Sequence, residues 1–219
     1  MTQLVKVWDV PTRLFHWALV ILFCGMWYSG EQGGDWLQYH IWCGSALASL
    51  LLFRLIWGVI GSQTARFGNF IKGPRSIVRY LRGELTENEQ PGHNPLGGLM
   101  VLAMLLALLA QVGTGLFAAD VDSYLYDGPL AKLLSGDAAE AATSFHKGFF
   151  NVILGLVGLH LLAIIAYRLF KKNNLVKAMI TGNKAIAGDV PRLEFAPAII
   201  ALVALLVSSG GIYVLLTRL

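Results

Sequence analysis

Residues 145–170 read FHKGFFNVILGLVGLHLLAIIAYRLF, and this stretch decides the fold. A hydrocarbon core about 30 Å thick takes a helix of roughly twenty apolar residues. This run is longer than that and almost continuous. Two histidines stand within it, His146 and His160, fourteen residues apart. Four helical turns take about 14.4 residues, so both rings point to nearly one face, separated by roughly 21 Å of rise. One ring lies near each surface of a membrane.

The same apolar texture recurs four more times, at Leu14–Gly30, Leu37–Gly61, Leu96–Phe117 and Ala196–Thr217. The chain of 219 residues is 56% hydrophobic and only 14% charged, with a mean hydropathy of +0.61. Soluble domains carry about a quarter charged residues. Only helices and closed barrels satisfy their backbone inside lipid, and barrel strands alternate where these runs do not. The fold class is therefore all-α integral membrane. A four-helix bundle over residues 1–175 is expected, with a linker and a fifth, accessory span over 176–219.

The net charge of +4 is explained by its distribution. Lys6 and Arg13 precede the first span. Arg66, Lys72, Arg75, Arg79 and Arg82 fill the second connection. Arg168, Lys171, Lys172, Lys177, Lys184 and Arg192 follow the fourth span. The other connections hold few basic residues. Lysine and arginine mark the cytoplasmic side, so the N-terminus is expected inside and the C-terminus outside. No nucleic-acid partner is implied; the lipid bilayer is. The first span lacks the basic start and small-residue cleavage site of a removable signal.

With that orientation, depths can be assigned. The first span runs outward, which puts His16 near the inner surface. The second runs inward, which puts His40 near the outer one. The fourth runs inward too, with His146 outside and His160 inside. Two pairs result, His16 with His160 and His40 with His146. A single intramembrane histidine can serve as a helix–helix hydrogen bond or a proton relay. Four at two matched depths suit haem iron, which takes one axial ligand on each side of the ring. Zinc would lack the rest of its tetrahedral shell. Cys24 and Cys43 form no C-x-x-C-H attachment site, so the expected cofactors are two non-covalent haem b groups.

Other residues take lesser parts. Arg54 follows His40 by fourteen residues and falls on the same face near the inner level, where a guanidinium suits haem carboxylates. Its alternative is snorkelling to the inner interface. Arg13, one turn before His16, is a second candidate for the cofactor, or a topology-setting charge. Gly44, Gly148, Gly155 and Gly158 offer room beside the histidines. His93 reads as part of a polar loop. Pro74–Arg82 has the pattern of an interfacial amphipathic helix, with Arg75, Arg79 and Arg82 on one face. The outer connection carries Asp120, Asp122, Asp127, Asp137 and Glu140, an acidic surface able to steer a basic partner. In the last span, Ser208-Ser209-Gly210-Gly211 would allow close helix packing.

Several segments together carry a resemblance. They are Val7-Trp8-Asp9-Val10-Pro11-Thr12-Arg13-Leu14-Phe15-His16-Trp17, Arg54-Leu55-Ile56-Trp57-Gly58-Val59-Ile60-Gly61-Ser62, Ala65-Arg66-Phe67, Gly92-His93-Asn94-Pro95-Leu96-Gly97, Thr114-Gly115-Leu116-Phe117, and Phe145-His146 with His160. Over about residues 5–175 the chain resembles the bacterial cytochrome b561 family, which includes the b-type membrane subunits of nickel–iron hydrogenases and respiratory formate dehydrogenases. The resemblance implies a four-helix core holding two b haems, with His16, His40, His146 and His160 at the ligand positions. It also implies quinone or quinol as the membrane partner, in the bacterial cytoplasmic (inner) membrane. The partner expected on the outer side is a periplasmic redox protein, such as a c-type cytochrome or a hydrogenase or dehydrogenase subunit. Two alternatives stay open: a stand-alone quinol oxidase acting on oxygen or superoxide, and a haem-free transporter or membrane anchor.

Overall fold

The computed structural model describes residues 2–86, 89–120, 125–189 and 192–218. Among them run eight α-helices: α1 (Val10–Gln32), α2 (Trp36–Ile60), α3 (Phe67–Phe70), α4 (Pro74–Leu81), α5 (Pro95–Leu116), α6 (Gly136–Phe170), α7 (Leu175–Thr181) and α8 (Ala198–Arg218). Five of them, α1, α2, α5, α6 and α8, are long and apolar enough to cross a membrane. They coincide with the five apolar runs, and the protein is an all-α, multi-pass membrane protein. Large apolar side chains along them, such as Ile21, Leu106, Leu162 and Leu206, are exposed to the surroundings. Lipid would cover them.

One helix boundary departs from the hydropathy reading. α6 begins at Gly136, nine residues before Phe145. Its first turns, Gly136–Ser144, are rich in alanine and carry Asp137 near the start. Such a segment is too polar to read as membrane, yet alanine and an acidic first turn favour helix.

The chain divides into two compact units, each taking parts of several helices. The first comprises Met1–Phe15, Arg54–Met104 and Val157–Ala204. Here the region expected as a linker contains structure. Asn174 caps α7 by accepting from the Lys177 amide. Gly182 ends it in the left-handed region, φ 84°, where glycine is at ease. Strand β2 (Asn183–Ala187) follows and pairs antiparallel with β1 (Thr2–Lys6), Leu4 opposite Ala185. Val7, Trp8, Ala178 and Ile186 form the small core beneath this ribbon. The amides of Val7 and Trp8 both donate to the Gly182 carbonyl, at 2.8 and 3.0 Å. The amphipathic segment is helical, as its pattern indicates; Arg75 and Arg79 are exposed and Ile77 half-buried.

Three of the segments that carry the family resemblance, around Asp9, Trp57 and Phe67, meet in this unit. Asp9 caps α1, accepting from the Thr12 amide at 2.7 Å, and its other oxygen accepts from Trp57 Nε1 at 3.1 Å. Thr64 Oγ1 donates to the Val7 carbonyl. Gly58 lets the Phe67 ring lie against α2, since a Cβ there would stand 2.1 Å from it. Residues far apart in sequence thus build one buried cluster around Trp57, which is fully enclosed.

The second unit comprises His16–Phe53, Leu105–Leu156 and Leu205–Leu219. The connection after α5 folds back on the helix end. The Gly128 amide donates to the Ala118 carbonyl and that of Leu130 to Leu116. Thr143 of α6 bonds both the amide and the carbonyl of Ala119. Ser208 is fully buried while Ser209 and Gly210 are exposed, so only part of that small-residue run faces neighbouring helices.

Candidate functional site

In the second unit, α2 and α6 bring His40 and His146 together. Their ring centroids stand 6.1 Å apart and their planes are nearly perpendicular, at 87°. Each ring is oriented by its δ nitrogen. His40 Nδ1 donates to the Met26 carbonyl at 2.8 Å, and His146 Nδ1 to the Gln111 carbonyl at 2.9 Å. Both carbonyls belong to neighbouring helices, α1 and α5. A histidine that donates through Nδ1 has its Nε2 lone pair open to a metal; at His146 the Gln111 amide nitrogen lies 3.4 Å from Nε2 and would have to give way.

The two rings line one cavity of about 490 Å³, within the range of small-molecule sites. Phe23, Met26, Trp27, Leu108, Phe150 and Ile153 supply apolar walls. Two glycines stand against the histidines. A Cβ on Gly115 would lie 2.7 Å from His146 Cε1, and one on Gly30 would lie 3.2 Å from His40 Cε1. Gln111 also grips His146 from its side chain, Nε2 donating to the His146 carbonyl at 3.0 Å.

The other predicted residues are placed as follows. His16 is half-buried in the second unit, edge-on to Trp17 at 5.1 Å. His160 is half-buried in the first unit, on the same continuous helix as His146. Arg54 is only 3% exposed, so it does not snorkel to the interface. Its guanidinium lies over Phe67 at 4.9 Å and Phe70 at 5.8 Å. Arg13 donates through Nη1 to the Ile180 carbonyl, one of the open carbonyls at the end of α7. That bond gives Arg13 a structural task at the ribbon.

A family profile for prokaryotic cytochrome b561 matches residues 7–182. The chain belongs to the prokaryotic cytochrome b561 family. No curated protein and no solved structure matches it significantly. As a cytochrome b561 it is a membrane protein that binds haem b and serves electron transfer across the membrane.

The residues of the second unit fit that group. Metal–imidazole bonds of about 2 Å on either side of one ion put two ring centroids roughly 6 Å apart, which is the separation of His40 and His146. Much of the cavity lining is apolar, and both imidazole rings are held by carbonyls. Among the described residues no group of three or more His, Cys, Asp or Glu side chains forms a metal site; bis-histidine haem ligation needs only two.

Sequence reasoning missed part of this cytochrome b561 site. Of the glycines expected to leave room beside the histidines, Gly44 lines the cavity, and a Cβ on Gly148, Gly155 or Gly158 would meet nothing within 4 Å. Gly30 and Gly115, which touch the histidines, lie on other helices. His93 was read as polar loop. It does lie in the connection before α5, but its ring sits between Trp8 at 4.6 Å and Phe70 at 4.8 Å. Burial and the nearby charges of Arg54, His160 and Lys184 push its pKa down to about 3. Of the outer acids, Asp120 is buried and accepts from the amides of Leu125 and Tyr126, so it shapes the loop. Asp122 lies outside the described residues. Asp127, Asp137 and Glu140 are exposed.

Proposed function

We propose that this cytochrome b561 holds two haem b groups and carries electrons across the bacterial inner membrane between the quinone pool and a periplasmic redox protein. His40 and His146 would hold the outer group, and His16 and His160 the inner one. The arrangement of His40 and His146 around one cavity supports this reading most strongly. The inner pair rests on the spacing and orientation legible in the sequence, as does the placement of the N-terminus in the cytoplasm and the C-terminus in the periplasm.

Haem supplies one-electron chemistry between ferrous and ferric iron. The chain supplies position and environment. The Met26 and Gln111 carbonyls hold the two rings and make them more basic ligands. Phe23, Trp27 and Phe150 line the cavity with apolar surface. His146 and His160, roughly 21 Å apart along α6, set the distance the electron covers. Each charge that crosses exchanges about 2.3 kcal/mol per 100 mV of membrane potential, so the partners' potentials decide the direction. The exposed acids of the outer connection, Asp127, Asp137 and Glu140, offer a docking surface to a basic partner.

Proteoliposomes test the route. Quinol in the bilayer should reduce both haems, and a membrane-impermeant acceptor on the outer side should reoxidise them. Haems that quinol leaves oxidised would remove quinone as the membrane partner.

A further inference from the structure

Within the first unit, one buried group has no task in the reading above. His93 lies outside the spans, yet its ring is enclosed by Trp8 and Phe70, and its Nδ1 is buried with no hydrogen-bond partner. Arg54 shares the Phe70 ring with it, 97% buried by its 3% exposure, and its Nη1 is likewise buried without a partner. A buried polar atom left unpaired costs on the order of 1–3 kcal/mol, and two beside one phenyl ring call for a common acceptor. The acid that acts electrostatically on Arg54 is Asp9, whose oxygens already accept from Thr12 and Trp57. Lys184, also buried, adds positive potential at His93. His160 lies within electrostatic reach of His93 as well, which puts the cluster beside a proposed inner ligand.

We infer that His93 and Arg54 form a two-armed receptor for a carboxylate of the inner haem, Arg54 as the charged donor and His93 as the neutral one. The inference rests on the di-haem reading. Arg54 cancels charge and His93 fixes the carboxylate's direction, because its ring is buried against both Trp8 and Phe70. With His93 donating as a neutral imidazole, the receptor carries one positive charge from these two residues. Phe67 and Phe70, beneath the guanidinium, hold Arg54 in place through cation–π contacts. His93 is a binding residue for the cofactor's periphery; it is not an iron ligand.

The test uses the holoprotein grown on carboxyl-labelled aminolaevulinate, so that the haem carboxylates carry carbon-13. Electrode-controlled infrared difference spectra are recorded beside a redox titration of both haems. In the wild type, a labelled carboxylate band should respond to the inner haem's redox state. In His93→Phe, which keeps an aromatic ring between Trp8 and Phe70, that band should shift. The inner haem's reduction constant should also fall by about threefold or more, the size of one lost hydrogen bond, because the carboxylate then carries more charge toward the iron. His93→Gln retains a donor and should keep both near wild type. His93→Met serves as the donorless variant if the aromatic one misfolds.

An unchanged band and potential in a donorless variant with two haems bound would overturn the receptor. So would a wild-type labelled band that ignores the inner haem. If the perturbed band were unlabelled, the acceptor would be a lipid headgroup and the assignment to haem would fall. Failure of the di-haem reading looks different: fewer than two haems in the wild type, before any variant is made.

Discussion

His40 and His146 face each other across 6.1 Å, their rings crossed at 87°, each tied through Nδ1 to a carbonyl on a third and a fourth helix. Two helices present the nitrogens and two others aim them. That division of labour makes the pair a unit, and its loss should be all or none. His40→Ala and His146→Ala should each remove the same haem and leave one per chain, and the double variant should remove no more. Haem content and the surviving haem's midpoint potential check this. Different survivors in the two single variants would break the pairing.

The glycines beside the rings give a graded expectation. An added methyl in a close-packed site costs typically 1–3 kcal/mol, against about 1 kcal/mol gained by replacing helical glycine with alanine. At Gly115 the contact of 2.7 Å falls on a His146 ring held by the Gln111 carbonyl. The ring cannot retreat without losing that bond. Gly115→Ala should therefore destabilise or displace the outer haem, seen as a shifted Soret band or lower occupancy. At Gly30 the contact is 3.2 Å, and Gly30→Ala should come close to neutral. A reversed order would mean that the rings sit otherwise when the haem is bound.

The five spans were legible because lipid imposes a single rule on long helices, that they be apolar throughout. The histidine pairs were legible because helical rise turns sequence distance into depth. What hydropathy could not carry is structure that is polar or short. The first turns of α6 are alanine-rich helix outside the apolar run. β1 and β2 are five residues each and are separated by nearly the whole chain, so neither announces its partner. Asn174 and Gly182 do mark the ends of α7 in the sequence, and a capping scan would have found that helix. His93 is different. Its burial depends on Trp8 and Phe70 arriving from two other segments, which no local pattern encodes. Gly30 and Gly115 were missed for a related reason: which glycine meets a ring depends on the rotation of the neighbouring helix.

Stability should report His93 through pH. Its pKa is about 3 in the folded chain without haem, against an ordinary 6.5. Between those values the unfolded chain binds a proton that the folded chain refuses, so stability falls as the pH is lowered from about 6.5 and is unaffected above it. The limit is a tenfold change in the unfolding equilibrium per pH unit. His93→Phe removes this contribution. Thermal midpoints of the haem-free, detergent-solubilised protein, measured from pH 7 down to about 4.5, should drop more steeply for wild type than for the variant. Parallel curves would show that His93 titrates normally.

Topology follows from the basic residues gathered in the connections of the first unit. A reporter fused after α8 should be periplasmic, since five spans separate it from a cytoplasmic N-terminus. Residue 219 itself lies outside the described residues, but the fusion reads the side on which α8 ends. A reporter reached only from the cytoplasm in intact cells would invert the depths assigned to all four histidines, or show that α8 does not span.

The central claim, two bis-histidine haems in one chain, is tested most directly by counting. Pyridine haemochrome analysis of the purified protein, against protein measured by amino-acid analysis, should give two haem b per chain. Both should be extracted by acid acetone, because no thioether attaches them. One haem per chain, or haem that stays with the protein after extraction, would contradict the account.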